Sequence, residues 1–322
     1  MYYLKTIRSV FAVSVLFFML ILPGSLHAKT YTLGLVEWMP WATAYVAAEK
    51  GFWAEEGIDV KIIQYENYAT GNLENFKFGE IDFSVLMLGN VVEFATKAPL
   101  YKIIYEHDWS HGGDIFILGK KVKTVKQLKG RTIGVYSKTT PINYFIEQIL
   151  LQNGLKISDV SLRQITIAKN LNRALENNVV SAIVSYDADA SIGKIVNSSA
   201  DFPGVIPEGI AVQRHILEEN KDDVRRFLRG WIRAVKWQND PVNQKEYFAI
   251  LNRTMFKNSH HSDHEFLELA KGAKIHTSLE TIISRNSDHI NRYVEKIYNF
   301  LEKQNSSVLA TDIAVEESKK IF

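Results

Sequence analysis

Short apolar segments alternate with amphipathic segments over most of the chain, and this alternation constrains the fold more than any other feature. "TYTLGLVEW" and "IDVKIIQY" read as strands. Between them, "ATAYVAAEKGFWAEEG" predicts a helix that is interrupted at Gly51 and ended by Gly57. "TTPINYFIEQILLQNG" predicts another helix, with Pro141 in its first turn and Gly154 after its end. Strands that alternate with helices predict an α/β fold.

The turn cluster "SHGGD", residues 110–114, divides the alternating elements into two sets. We therefore expect lobe 1 to begin with residues 29–110 and lobe 2 to cover residues 111–212. Residues 213–322 are mostly helical by pattern and are expected to complete lobe 1 as a cover. Two open α/β lobes place a ligand cleft between the carboxyl ends of their strands.

The first 28 residues have the composition of a secretory signal peptide. Lys5 and Arg8 precede the apolar run "VFAVSVLFFMLIL", and "PGSLHA" ends at Ala28, before a predicted cleavage site. A leader retained as an N-terminal anchor is the alternative. The expected location of the protein is extracytoplasmic, in a periplasm.

Charge and cysteine content exclude several classes of function. The leader carries two basic residues and no acidic one, so the remaining 294 residues carry 36 of each sign. A neutral chain gives no electrostatic reason to bind nucleic acid or an anionic membrane. The chain has no cysteine, which excludes disulfides, cysteine nucleophiles, thiolate metal sites and a lipidated cysteine anchor.

Aromatic residues recur in the loops that follow the predicted strands. The first of these loops, "EWMPW", places Trp38 and Trp41 around a Met-Pro pair. A tryptophan in such a loop can be a packing wedge, an anchor for a partner protein or the wall of a ligand pocket. Several aromatics together favour a pocket that stacks on a planar ring or surrounds a cation. The aromatic residues in these loops are Trp38, Trp41, Tyr65, Tyr68, Trp109, Tyr136 and Tyr186.

Carboxylates lie near these aromatics, whereas basic residues are scarce apart from Lys138. The balance favours a neutral or amine-bearing organic ligand over a bare anion such as nitrate. The acidic residues are Glu37, Glu66, Asp108, Asp187 and Asp189.

Two of the predicted helices begin with residues that suit a ligand site. "YSKTTP" offers hydroxyl groups beside the first amides of a helix, and Gly89-Asn90 allows close approach of the backbone. Thr140 and Asn90 can equally be simple helix caps. The complete set of predicted ligand-binding residues is Trp38, Pro40, Trp41, Tyr68, Gly89, Asn90, Trp109, Ser137, Thr139, Thr140, Tyr186 and Asp187.

Catalytic and metal-binding patterns are sparse. The sequence has no nucleophile elbow, no phosphate-binding glycine loop and no zinc-protease signature. "NSHHSDHEF", residues 258–266, is the one metal-like cluster, with His260 and His264 four residues apart. We interpret it as a solvated helix start, capped by Ser262 and away from the cleft. We therefore expect no enzyme activity, no cofactor and no bound metal.

Four segments of the chain, in this order, resemble periplasmic solute-binding proteins of the nitrate/sulfonate/taurine type, a group that also contains thiamine-precursor and riboflavin binders. The segments are "PWATAYVAAEKGFWAEEGIDVKII", "FKFGEIDFSVLMLGN", "VKTVKQLKGRTIGV" and "HILEENKDDVRRFLRGWIRAVKW". They span most of residues 30–238.

The resemblance implies a two-lobed type II periplasmic-binding-protein fold that closes on one small molecule and delivers it to an ABC permease, as a monomer. It implies ligand contacts from Trp38–Trp41, from Gly89-Asn90 and from "SKTT". The small-residue pair usual after the second strand is replaced here by "YENYATG". This departure favours an organic, heterocyclic ligand over a sulfonate or nitrate ion.

Two other functions are compatible with the same fold. The protein could report ligand occupancy to a membrane sensor instead of a permease. The thiamine pyrimidine synthases share the fold and resemble this chain in "AAEKGFW", but they rely on a cysteine-rich iron-binding motif, which a chain without cysteine lacks.

Overall fold

The computed structural model describes residues 29–186, 190–303 and 307–322. The predicted signal peptide and Asp187 lie outside these residues. Within them, no helix combines the length and the apolar composition that a membrane span requires.

Eleven strands form within the described residues, and they separate into two sheets. The strands are β1 (Thr30–Val36), β2 (Asp59–Tyr65), β3 (Phe83–Met87), β4 (Tyr101–Ser110), β5 (Ile115–Leu118), β6 (Thr132–Val135), β7 (Ser161–Gln164), β8 (Ala182–Ser185), β9 (Lys194–Ser198), β10 (Pro207–Gln213) and β11 (Ala273–Ile275).

The two sheets are both of mixed direction. The larger has the order β11-β4-β10-β3-β1-β2, and the smaller has the order β7-β6-β8-β5-β9. β1 pairs in parallel with β2 and β3, whereas β10 runs antiparallel between β3 and β4. The chain passes from the larger sheet to the smaller after β4 and returns after β9. β10 therefore belongs to the larger sheet, although the sequence pattern assigned its residues up to 212 to lobe 2. The lobe boundaries themselves remain a prediction.

Thirteen α-helices cover the two sheets in the described part of the chain. They are α1 (Thr43–Glu49), α2 (Phe52–Glu55), α3 (Glu74–Lys77), α4 (Leu88–Lys97), α5 (Thr140–Gln152), α6 (Ala168–Glu176), α7 (Arg214–Glu219), α8 (Lys221–Gln238), α9 (Gln244–Arg253), α10 (Asp263–Leu269), α11 (Leu279–Ser284), α12 (Ile290–Phe300) and α13 (Asp312–Ile321).

Local sequence signals explain several of these helix boundaries. The predicted first helix is divided at Gly51 and ended at Gly57, which adopt φ angles of 70° and 78°. Glycine occupies this left-handed region without the steric cost that a Cβ would add. α5 has Pro141 in its first turn, and α10 starts at a capping box formed by Ser262 and Glu265. These predictions are confirmed.

The apolar face of α8 packs against the larger sheet, as its helical spacing predicts. Phe227 stacks on Phe83 of β3 with ring centroids 4.1 Å apart, and Trp231 is fully buried. A second apolar core continues from one sheet to the other through α4, α5 and α12. In this core Pro141 and the Tyr293 hydroxyl lie so close to Gly89 that a Cβ there would be 2.9 and 2.5 Å from them. The helices therefore hold the two sheets together on one side, and an open cavity lies elsewhere between them.

Candidate functional site

A cavity of about 710 Å³ lies where strands of both sheets end. Tyr65 ends β2, Met87 ends β3, and Tyr136 and Tyr186 directly follow β6 and β8. This position at the ends of parallel strands is where α/β folds place small-molecule ligands. The residues that line it are Val36, Glu37, Trp38, Trp41, Gln64, Tyr65, Glu66, Asn67, Tyr68, Ala69, Met87, Asp114, Tyr136, Ser137, Thr166, Tyr186, Glu208, Lys257 and Asn258.

The two tryptophans of "EWMPW" converge on one carboxyl group. The indole Nε1 of Trp38 and that of Trp41 both donate to Oε2 of Glu208, at 2.8 and 2.9 Å. Trp41 is 2% exposed and Glu208 is 6% exposed. The indole rings therefore form a wall of the cavity, with orientations fixed by a buried acid rather than by packing alone.

Glu208 faces a second buried acid, Asp108, from the adjacent strand β4. The two residues are partners in the β4–β10 ladder, and Asp108 has no N–H or O–H donor within hydrogen-bond distance among the described residues. Burial raises the pKa of Glu208 to about 8, and the neighbouring charge of Asp114 adds to this rise. Burial, followed by the charge of Glu208, raises the pKa of Asp108 well above its usual value. Burial therefore favours the neutral form of both carboxyl groups.

A β-bulge accompanies this pair of carboxyl groups. Asp108 is opposite Glu208, but Glu106 is opposite Gly209, so His107 is an extra residue in β4. A Cβ on Gly209 would lie 2.1 Å from the Tyr105 carbonyl oxygen. Glycine is therefore required beside Glu208 for the two strands to approach this closely.

Asp114 connects the cavity to the segments that join the two sheets. Its carboxylate accepts hydrogen bonds from the Tyr136 hydroxyl at 2.8 Å and from the Ser110 hydroxyl at 2.7 Å. Ser110 ends β4, where the first joining segment begins, and its hydroxyl lies 2.8 Å from that of Ser199 at the start of the second. Burial raises the pKa of Asp114, and these hydroxyl donors oppose the rise. The Asp114 carboxylate thus contacts the cavity wall and Ser110, and Ser110 contacts the second joining segment through Ser199.

Tyr68 lines the cavity, and its hydroxyl is hydrogen-bonded to Asn90, which does not line it. The Tyr68 hydroxyl accepts hydrogen bonds from the Asn90 side chain at 2.7 Å and from the Met87 amide at 3.0 Å. The ring lies 6.1 Å from that of Trp41, centroid to centroid. Asn90 is therefore a positioning residue that orients an aromatic side of the cavity.

Pro40 lies behind the same wall. Its carbonyl oxygen accepts a hydrogen bond from Nε2 of the buried His107 at 3.0 Å, while the Trp231 indole donates to Nδ1 at 3.3 Å. Burial lowers the pKa of His107 to about 3, so the ring is neutral. This contact fixes the turn that carries both tryptophans.

The predicted site residues divide into three groups. Those that line the cavity are Trp38, Trp41, Tyr68, Ser137 and Tyr186. Those that the structure places elsewhere are Pro40, Gly89, Asn90, Trp109, Thr139 and Thr140. Asp187 lies outside the described residues. The role of the lining residues as ligand contacts remains a prediction.

The predicted residues outside the lining have structural contacts of their own. Gly89 packs against α5 and α12, and the Thr140 hydroxyl donates to Glu93 at 2.6 Å. Thr139 precedes α5 as its N-cap residue. Trp109 packs against His276, with centroids 5.3 Å apart, and under the guanidinium of Arg285.

Sequence reasoning missed Glu208 and the part that Asp114 plays. Glu208 is the single charged residue in the apolar segment "VIPEGIAV", and an isolated carboxylate in a buried strand is a signal that could have identified it. Asp114 was placed in a turn cluster with no chemical role. Asn258 also lies at the cavity, whereas the sequence had placed the segment 258–266 away from the cleft.

The lining is acidic and aromatic. Carboxyl groups of Glu37, Glu66, Asp114 and Glu208 face it, and Lys257 is the only basic side chain among the described lining residues. Burial also raises the pKa of Glu37. Within residues 29–186, 190–303 and 307–322, no group of three His, Asp or Glu side chains could hold a metal ion. The cavity therefore suits a planar molecule that is neutral or cationic.

Comparison with known proteins identifies the family. The chain belongs to the NMT1/THI5-like family, whose model matches residues 39–243, more than half of the chain. It is 23% identical over 230 residues to the riboflavin-binding protein RibY of Chloroflexus aurantiacus. That match covers 66% of this chain and 62% of the relative, so the chain spans less than two thirds of the relative's length.

Solved structures show the fold. The periplasmic aliphatic sulphonate binding protein SsuA of Escherichia coli superposes with a TM-score of 0.62 at 14% identity, over 87% of this chain and 96% of that one. The periplasmic nitrate-binding protein NrtA of Synechocystis PCC 6803 gives a TM-score of 0.61 at 16% identity, over 91% and 89%. The two-lobed α/β periplasmic-binding-protein fold and the resemblance to the nitrate/sulfonate/taurine type are thus confirmed.

Proposed function

We propose that this chain is a periplasmic solute-binding protein that captures a small, planar, amine-bearing organic molecule and delivers it to an ABC importer. The observation that carries this proposal is the cavity wall in which Trp38 and Trp41 both bond to the buried Glu208. A binding role without catalysis agrees with the structural relatives, which are named as binding proteins for sulphonate and nitrate.

The ligand class follows from charge and shape. The indole and phenol rings offer faces on which a planar ring can stack, and their edges are held by hydrogen bonds to Glu208 and Asp114. A protonated amine near Glu208 would neutralise a carboxylate that has no basic partner in the described cavity. A sulfonate or nitrate ion would instead meet four carboxyl groups and one lysine. The proposed ligand therefore differs in charge from those for which SsuA and NrtA are named.

The hydrogen bonds of Asp114 connect ligand binding to closure of the two lobes. A ligand that contacts Tyr136 or Asp114 acts on a group that is directly bonded to Ser110, in the first joining segment. Ser110 is in turn bonded to Ser199 in the second segment. Ligand binding therefore favours the arrangement of the two lobes in which these contacts and the ligand contacts form together.

Titration of tryptophan fluorescence tests the proposal. The mature chain is titrated with aminopyrimidines, other aryl amines, taurine, an alkanesulfonate and nitrate. We expect a saturable change only with the amine-bearing rings. Trp109→Phe, which removes an indole outside the cavity lining, should retain the change, and Trp38→Phe with Trp41→Phe should abolish most of it. Saturable binding of taurine or nitrate, with no binding of any amine, would contradict the proposal.

Substitution of Glu208 provides a second test of the proposed function. Glu208→Gln keeps the size of the side chain and should weaken amine binding by roughly 10- to 100-fold, because a hydrogen bond to a charged group is lost. Glu176→Gln, at an exposed position of α6, is the matched control and should bind normally. An unchanged affinity in Glu208→Gln would remove this residue from the ligand site.

A further inference from the structure

A second, smaller cavity of about 230 Å³ lies between α5, residues 202–205 and the C-terminal helices. Its basic side chains are Arg285, His289, Arg292 and Lys296. Their spacing places all four on one face of the helical segment that continues into α12. Tyr144 and Gln148 of α5 form part of the opposite wall. The walls therefore direct several basic side chains and hydrogen-bond donors toward one open cavity.

Of the two arginines and the lysine, two side chains have no counter-charge among the described residues. Arg285 donates to Glu106 at 2.7 Å and is thereby paired. For Arg292 and Lys296, no carboxylate of the described chain lies within 4.0 Å of the side-chain nitrogens. They are four residues apart on α12, a spacing at which like charges repel and destabilise a helix. An anion held between them would remove this repulsion.

The remaining groups of the cavity are arranged to donate hydrogen bonds. Nδ1 of His289 lies 3.0 Å from the Ser284 carbonyl oxygen and 3.1 Å from the Ser284 hydroxyl, and these contacts fix the ring. The guanidinium of Arg285 is held by Glu106 and by the face of Trp109, so it too has one orientation. Fixed donors lose little conformational entropy when an anion binds.

We propose that this cavity, here named the α12 pocket, binds a small dianionic oxyanion of the phosphate or sulfate type. Two unpaired positive charges match the two negative charges of such an ion, and arginine and lysine nitrogens are its usual protein partners. The site is separate from the aromatic cavity, with which it shares no lining residue. It does not depend on the identity of the ligand that the aromatic cavity binds.

The α12 pocket lies between elements that are associated with both sheets. Residues 202–205 directly precede β10, where the chain returns to the larger sheet, and α5 covers the smaller sheet. The basic face belongs to helices that pack on α4 beside the larger sheet. An anion in the pocket would therefore contact elements that pack against both sheets.

Binding of inorganic phosphate to the mature chain tests this site. Titration calorimetry and thermal unfolding are performed at pH 7.5 with phosphate, sulfate and chloride at constant ionic strength. We expect saturable binding of phosphate or sulfate with a rise in Tm, and no such response to chloride. Arg292→Gln with Lys296→Gln should weaken binding by at least about tenfold.

The matched control is Lys169→Gln with Arg173→Gln. These two residues are also exposed, basic and four apart on one helix, α6, but they do not line the α12 pocket. The control should bind phosphate like the wild type. Equal responses to phosphate and chloride in the wild type would overturn the proposal. Equal loss of binding in both double variants would do the same, since it would indicate a general charge effect.

Discussion

Glu106 and Asp108 lie two residues apart on β4, and both are fully buried. Glu106 has a basic partner for its charge, whereas Asp108 has none in the described part of the chain. Glu106 accepts hydrogen bonds from Arg285 at 2.7 Å and contacts His276 at 3.1 Å. Asp108 has no basic partner and faces another acid, Glu208, which lines the aromatic cavity. Glu106, whose charge is neutralised, has a structural role. The Asp108–Glu208 pair has no counter-charge among the described residues, and a cationic ligand in the cavity would supply one.

This contrast has an energetic meaning. A buried charge without a partner costs free energy of folding, and proteins retain such groups mainly at functional sites. The cost is reduced here because two indole N–H groups donate hydrogen bonds to Glu208 and because burial favours the neutral form of both acids. The predicted consequence is that removal of the partner of Glu106 and removal of the charge of Asp108 change stability in opposite directions.

Loss of the partner of Glu106 should have the largest effect. Arg285→Gln leaves a buried carboxylate without its main counter-charge, so we expect the free energy of unfolding to fall by about 3–5 kcal/mol. Denaturant unfolding of the wild type and the variant measures this difference in free energy. The double variant Arg285→Gln with Glu106→Gln should recover most of this loss, because it removes the unpaired charge as well. A single variant within about 1 kcal/mol of the wild type would contradict a structural ion pair.

Asp108→Asn should have a smaller effect of the opposite sign at alkaline pH. The folded-state pKa values of Asp108 and Glu208 are raised above those of the unfolded chain. The stability that these acids contribute is present below the unfolded pKa and is lost as the pH rises through the folded pKa. For Glu208 this loss continues to about pH 8. The wild type should therefore become less stable from pH 7 to pH 9.

The measurement is the free energy of unfolding at pH 7 and pH 9 for both proteins. Asp108→Asn should show a flatter pH dependence and should be more stable than the wild type at pH 9 by about 1 kcal/mol, since one buried charge is absent. His107 and His276 have lowered pKa values and act in the opposite direction, but only as the pH falls below their unfolded pKa. Identical slopes in the two proteins would show that the pair does not titrate in this range.

The sequence was sufficient to predict features that depend on neighbouring residues. Gly51, Gly57, Pro141 and Ser262 act within a few residues of their own position, and the helix boundaries that they predict are confirmed. The apolar face of α8 was likewise evident from its helical spacing. The "EWMPW" turn was predicted to face the cleft because it follows a strand, and both of its tryptophans line the cavity.

Features that depend on long-range pairing could not be predicted. The placement of β10 between β3 and β4 brings Glu208 to Trp38, from which it is 170 residues distant in sequence. No local pattern indicates that partner. Trp109 looked equivalent to Trp38 because each is placed near the end of a strand, but Trp109 packs under Arg285, away from the cavity. The difference arises from tertiary contacts of the C-terminal helices.

Proton release on ligand binding tests the central claim most directly, namely that the uncompensated acid pair receives a cationic ligand. An aminomethyl-substituted pyrimidine and its neutral hydroxymethyl analogue are titrated by calorimetry at pH 7 in buffers of different ionisation enthalpy. A cation beside Glu208 lowers the pKa of the pair, so the amine should bind more tightly and release up to about one proton, whereas the alcohol should release none. Equal affinities with no proton release for either compound would contradict the account.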